Sequence, residues 1–98
     1  MDTYVIRRRD GWVGPDQLEA AAAKSKQVGD EEMSDDIRWI RSYVVQEDDG
    51  GLGTVCIYQA SSPEKIREHA DRVGMPADEI TKVADTVIVR PDPTPVTA

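Results

Sequence analysis

One cysteine, one histidine and no phenylalanine in 98 residues exclude a good deal before any pattern is read. A single thiol cannot close an internal disulfide, which fits a reducing, cytoplasmic setting. No apolar run approaches the length needed to span a bilayer, so no membrane partner is expected. The opening MDTYVIRRR carries no apolar leader, and export is not expected. Basic residues are in the minority, 12 Lys and Arg against 19 Asp and Glu, for a net charge of −7. Neutralising phosphates needs clustered cations, so nucleic acid is not an expected partner either. The one basic cluster, Arg7-Arg8-Arg9, reads as the solvated end of a strand, with contact to an anion as the alternative. Without phenylalanine, Trp12, Trp39 and the tyrosines must supply the large core volumes. The chain also lacks a phosphate loop, a metal-ligand cluster and a convincing catalytic triad, which favours binding over catalysis.

What is present is punctuation. Residues 3–9 alternate weakly and are rich in β-branched and aromatic types, predicting a first strand that Asp10-Gly11 ends. Gly14-Pro15-Asp16 reads as a helix start, with proline where its missing N–H costs nothing and an aspartate at the positive helix end. Leu18, Ala21, Ala22, Ser25 and Val28 then share one helical face, and Gly29 reads as the stop. Residues 29–36 carry Asp30, Glu31, Glu32, Asp35 and Asp36, but at a spacing that does not match a calcium-binding loop, so a solvated acidic loop is expected.

Residues 37–46 form the longest strand candidate. Simple alternation puts Ile37, Trp39, Arg41, Tyr43 and Val45 on one face and Arg38, Ile40, Ser42, Val44 and Gln46 on the other. Both faces are mixed, which predicts either a strand half buried on each side or one that bulges midway. EDDGGLG is a hairpin connection, and Thr54–Ala60 returns as the partner strand. A second helix starts at Pro63 with Ser61 or Ser62 as its cap, buries Ile66, Ala70 and Val73, and ends at Gly74-x-Pro76. A short turn, PADE, precedes a last strand expected from Ile80 to Val89.

The order β-α-β-β-α-β predicts an α+β fold of ferredoxin-like type. It has a four-stranded antiparallel sheet with both helices on one face, in a single domain over 1–90. The proline-rich residues 91–98 are expected to be a disordered tail. Ile40 and Val44 would be exposed on the uncovered face, so a homodimer of the dimeric α/β-barrel kind is expected.

From Cys56 to Ile80 the chain resembles a family of small ferredoxin-like bacterial proteins of unknown function. Some of its members are described as nickel-binding or nickel-responsive. The residues that carry the likeness are the strand ending CIYQA, a serine-proline helix start, IREHA, and the Gly74, Pro76-Ala77-Asp78 and Ile80 exit. IRWIRSYV followed by an acidic turn fits as well. The resemblance spans roughly residues 3–89 and implies the fold, dimeric pairing and, in some members, a divalent metal, nickel, as cofactor. The nickel-binding members carry additional histidines near the N-terminus, whereas TYVIRRRDGW has none. The nickel assignment therefore rests on resemblance only.

Six residues are candidates for a ligand site: His69, Tyr58, Tyr43, Trp39, Cys56 and Asp78. His69, on the apolar side of the second helix, is either a hydrogen-bonded core residue or a titratable group facing a cleft. Cys56 reads as a small buried hydrophobe that would matter chemically only if it met His69. Tyr43, Tyr58 and Trp39 lie on paired strands and either pack across the hairpin or line an aromatic pocket. Asp78 reads as a cap or, secondarily, a carboxylate facing His69. Two function classes follow. One is a non-catalytic homodimeric module binding a small molecule or metal; the other is a small cofactor-independent oxygenase or isomerase with His69 as general base.

Overall fold

Alternation governs the sheet until two irregularities interrupt it, and both bear on the site. In the computed structural model, which describes residues 1–94, the elements are β1 (Asp2–Trp12), α1 (Pro15–Gln27), β2 (Ile37–Gln46), β3 (Leu52–Ala60), α2 (Pro63–Val73) and β4 (Glu79–Lys82). All neighbouring strands are antiparallel in the order β2-β3-β1-β4, the ferredoxin-like arrangement. Tyr4, Ile6 and Arg8 of β1 and Thr54, Cys56, Tyr58 and Ala60 of β3 are buried at every second position. Val28, Met33, Ile66 and Val73 close the core against them. Ile66 is fully buried, and burying such a side chain contributes about 1.5–3 kcal/mol.

The first irregularity is in β1. Arg8 pairs with Thr54, but the next matched pair is Trp12 with Leu52, so the strand takes up two extra residues. Asp10 sits there with φ of +48°, in the left-handed region that aspartate tolerates better than most residues. The Asp10-Gly11 pair thus bulges the strand instead of ending it, and Trp12 returns to the helix side as a buried residue. The second irregularity lies between Trp39 and Arg41 in β2, where Ile40 is the extra residue. Of the two alternatives that the mixed faces left open, the midway bulge is the one present, and it resets the alternation. Ser42 now opposes Cys56 and Val44 opposes Thr54. Val44 consequently lies on the helix-covered side, which corrects its expected place on the open face.

Both helices obey their start signals. Pro15 and Pro63 open them, and the Ser62 side chain accepts the Lys65 N–H at 3.4 Å; Ser61 instead donates to Asp36. Gly74 ends α2 at φ of +84°, its N–H bonded to Ala70 O at 2.8 Å. Gly29 does not stop α1. The chain runs on through a wide π-turn, Val28–Glu32, in which Met33 N–H reaches back five residues to Val28 O at 3.0 Å. Val28, Gly29 and Met33 are buried there, so apolar packing carries the chain past glycine's preference to end a helix. The first half of the expected acidic loop is thus helical, with its carboxylates outward.

Two further expectations are corrected. The basic cluster is not a solvated strand end: Arg8 is 1% exposed, and Arg7 is half-buried in an ion pair with Glu47 at 2.5 Å. Alternation explains this, since Arg8 shares the inward face with Tyr4 and Ile6. The last strand stops at Lys82 instead of Val89. After the Val83 N–H bond to Thr3 O the chain leaves the edge of β1, and residues 83–92 cross the open sheet face near Thr3, Tyr43 and Ile57. Of the tail expected over 91–98, Asp92 bonds Arg41 and Tyr43, while residues 95–98 lie outside the described residues.

Candidate functional site

Tyr58 is the residue around which the helix side of the sheet is built. It stands in the middle of β3 and is 1% exposed. Trp39 of β2, its cross-strand partner, stacks on it with ring centroids 6.1 Å apart and planes 14° from parallel. The His69 ring meets it edge-on at 5.5 Å from α2. From α1 the Ser25 hydroxyl lies 3.0 Å from the phenol oxygen, giving this buried group a hydrogen-bond partner. Burial pushes the Tyr58 phenol above its usual range, so it stays protonated and able to donate.

The fourth neighbour is a cation. The Arg8 guanidinium carbon lies 5.8 Å from the Tyr58 ring centroid, within cation–π reach. One terminal nitrogen, Nη1, donates to Pro76 O at 2.8 Å. The other, Nη2, is buried and has no hydrogen-bond partner. Among the described residues no carboxylate pairs with Arg8, although both flanking arginines do find one, in Glu47 and Glu79. A guanidinium does not lose its proton at any ordinary pH, so the site holds an uncompensated buried charge.

Beside this group lies a cavity of about 250 Å³ between α1 and the sheet. Leu18, Ala21 and Ala22 of α1 form its roof, Trp12 and Met75 its sides, and Cys56, Tyr58 and Trp39 its floor. Arg8 and Ser25 also line it, and Pro15, Glu19 and Val44, all exposed, stand at its rim. Both irregularities of the sheet serve it: the β1 bulge returns Trp12 inward, and the β2 bulge brings Ser42 and Val44 to its wall. The alanines leave the space open, since they hold the helix without filling the volume beneath it. Trp39 gives its indole N–H to Ser42 Oγ at 2.8 Å. The wall is overwhelmingly apolar, with polar groups concentrated at Arg8, Ser25, Thr54 and Tyr58.

His69 sits behind Tyr58 and does not line this cavity. Its Nε2 is 3.0 Å from Ser25 O, just before α1 widens into the π-turn. A carbonyl only accepts, so Nε2 carries the proton, and the buried, unpartnered Nδ1 is the bare nitrogen of a neutral ring. Burial holds His69 below the ordinary imidazole range, with the nearby Arg8 charge acting in the same sense and the Ser25 carbonyl opposing. Cys56 is buried and donates to Thr54 Oγ1 at 3.2 Å.

Of the six candidates from sequence, Trp39, Cys56 and Tyr58 line the cavity and His69 buttresses it. Tyr43 is on the opposite sheet face, opposite Val55, and its hydroxyl bonds Asp92. It does not meet Tyr58, because the Ile40 bulge separates their faces. Asp78 is exposed and accepts the Arg9 N–H at 2.6 Å, so it ties β1 to the segment before β4 and neither caps a helix nor faces His69. Sequence reasoning named Trp12 as a core residue and Arg8 within the basic cluster, but placed neither of them, nor Ser25, at a ligand site. Arg8 had a signal: strict alternation from Tyr4 through Ile6 places it inward.

A shared metal ion needs several donors converging on one point. Among the described residues no group of three or more His, Cys, Asp or Glu side chains is placed to hold one. The donor set within this chain therefore does not fit a resident divalent metal.

Comparison with known proteins places the fold in context. The model of the family described as "Nickel responsive protein SCO4226-like" matches residues 4–83. A crystal structure of SCO4226 from Streptomyces coelicolor A3(2) superposes with a TM-score of 0.68 at 21% sequence identity, covering 87% of this chain and 99% of that one. No curated protein matches significantly. The family match runs from Tyr4 to Val83, through every strand and both helices, and the chain belongs to the nickel responsive protein SCO4226-like family.

Proposed function

We propose that the chain is a non-catalytic binding module that holds a small, largely apolar molecule between α1 and the sheet and works as a homodimer. The observation that carries the reading is the apolar cavity of about 250 Å³ floored by Tyr58 and Trp39. Well-packed cores leave few voids larger than a water molecule, so a space of this size open to solvent at one rim is a binding feature by default. An apolar cavity of roughly 150 Å³ takes up benzene, which sets the scale of the guest at about one ring with a short chain.

Binding is favoured over an oxygenase or isomerase because a general base needs a nitrogen within reach of its substrate. His69 Nε2 is engaged by Ser25 O, and its Nδ1 is buried away from the cavity. A nickel role for this chain is not part of the reading, given its donor set. Pairing is supported by Val87, Ile88 and Val89, which are 87%, 78% and 79% exposed in consecutive positions beside the open sheet face. Contiguous apolar exposure of this kind marks an interaction surface.

Trp12 and Trp39 report on the cavity directly. Titration with a neutral probe, 3-phenylpropanol, is expected to shift tryptophan emission and raise the melting temperature. Unchanged emission and melting at saturating probe would end the small-molecule reading. Light scattering across a concentration series tests the dimer separately; a monomeric mass throughout would remove it.

A further inference from the structure

The cavity's one charged inward group selects its guest. We infer that the ligand is an organic carboxylate with an apolar body, its carboxylate paired with Arg8 and its body lying between the α1 alanines and the Trp39–Tyr58 stack. The inference rests on the binding reading above and deepens it.

Three observations converge. Arg8 is 1% exposed, yet among the described residues it has no anionic partner, and its Nη2 has no hydrogen-bond partner of any kind. A buried cation left in this state is costly, and proteins that keep one ordinarily pair it. Arg8 also lines the cavity, and since its Nη2 is closed to solvent an incoming anion reaches it by displacing neighbouring side chains, with no change of fold. Finally, the polar groups near it are neutral hydroxyls, Tyr58 Oη and Ser25 Oγ, 3.0 Å apart. Either hydroxyl is able to turn its proton towards a carboxylate oxygen, while Nη2 supplies a charge-assisted bond. His69, held neutral, adds no competing charge.

The rest of the wall specifies the body. Among the described residues it offers no cation beyond Arg8 and no acid beyond Glu19, which is exposed at the rim. The Trp39 indole N–H is already given to Ser42. Beyond the hydroxyls, of which Thr54 already accepts from Cys56 and Ser42 from Trp39, the wall has little to pair with a guest rich in polar groups, which disfavours sugars and phosphorylated metabolites relative to a simple aryl or alkyl acid. Glu19 adds a mild barrier to dianions at the entrance.

The test compares 3-phenylpropionate with 3-phenylpropanol and with acetate, by isothermal titration and tryptophan emission on the full chain. The expected result is that the aryl acid binds at least tenfold more tightly than the alcohol, while acetate at equal concentration gives no emission change. Arg8→Met should bring acid and alcohol to equal affinity. Equal affinities in the wild-type protein overturn the carboxylate inference and leave the cavity-binding reading intact. Tight binding of acetate alone also overturns it, by showing an anion site indifferent to the body. If neither aryl compound binds, both readings fall together. The wild-type comparison does not depend on whether the Arg8 variant folds.

Discussion

The hydroxyls of Ser25 and Tyr58 lie 3.0 Å apart in the interior, and this one bond joins α1 to the middle of the sheet. Few other polar ties hold α1 in place. The same serine's backbone carbonyl takes the His69 Nε2 proton, so Ser25 links both helices and β3.

Removing one partner of the pair strands the other. Ser25→Ala is expected to cost about 1–3 kcal/mol, the desolvation penalty of an unpaired buried hydroxyl. Tyr58→Phe should cost less than that, since Ser25 is small and able to turn to another acceptor. In a double-mutant cycle by urea unfolding, the double variant should be more stable than the sum of the singles implies. Strict additivity would show that the bond contributes nothing.

Protonation of His69 is disfavoured in the folded state and proceeds freely in the unfolded chain. Its folded pKa lies below the ordinary 6.5, so the unfolded state binds more protons and stability falls with falling pH below about 6.5. Above that value the contribution is complete and flat. The measurement is the difference in unfolding free energy between wild type and His69→Gln from pH 8 to pH 5, which cancels the carboxylates common to both. A difference independent of pH would contradict the neutral, buried assignment.

Gly53 sits where β3 crosses the bulge in β1. A Cβ there would come within 2.5 Å of Arg8 O, which is backbone and cannot step aside. Gly53→Ala is therefore expected to destabilise by about 1–3 kcal/mol, the cost of overpacking. It should also weaken cavity binding, because relieving the clash moves Arg8. A variant as stable as wild type would show that the two strands part easily here.

Filling the cavity should have the opposite effect on stability. Ala22→Leu adds apolar volume to its roof at little cost in helix propensity. About 0.5–2 kcal/mol of stabilisation is expected, together with loss of 3-phenylpropanol binding. Retained binding in a more stable protein would locate the probe elsewhere.

Much of this molecule was legible from its residues. Pro15, Pro63, Ser62 and Gly74 placed three of the four helix ends because each acts through its own backbone, with no tertiary information required. The mixed faces of residues 37–46 left a midway bulge as one of two alternatives, without naming the residue at which it falls. What alternation cannot reveal is where it breaks, and this is why Val44 was misplaced and why β1 was expected to end at Asp10-Gly11, before Trp12. Gly29 misled for a related reason: the preference of glycine to end a helix is weak, and the burial of Val28 and Met33 outweighs it. Arg8 was hidden by its neighbours, since three arginines in a row suggest solvent while only the middle one turns inward. The short β4 was invisible for want of a stop signal, because TVIVR is a sound strand sequence that simply finds no partner beyond Thr3.

The extra residue at Ile40 behaves like a frameshift within β2. Upstream of it, odd-numbered residues look towards the helices; downstream, even-numbered ones do. Exchanging β2 segments between relatives across this point would therefore preserve composition and hydrophobicity yet invert the wall, presenting Arg41 and Tyr43 to the cavity in place of Ser42 and Val44. An alignment that transfers site residues from a protein without this bulge has to place its gap at Ile40, or it will compare the inside of one protein with the outside of another.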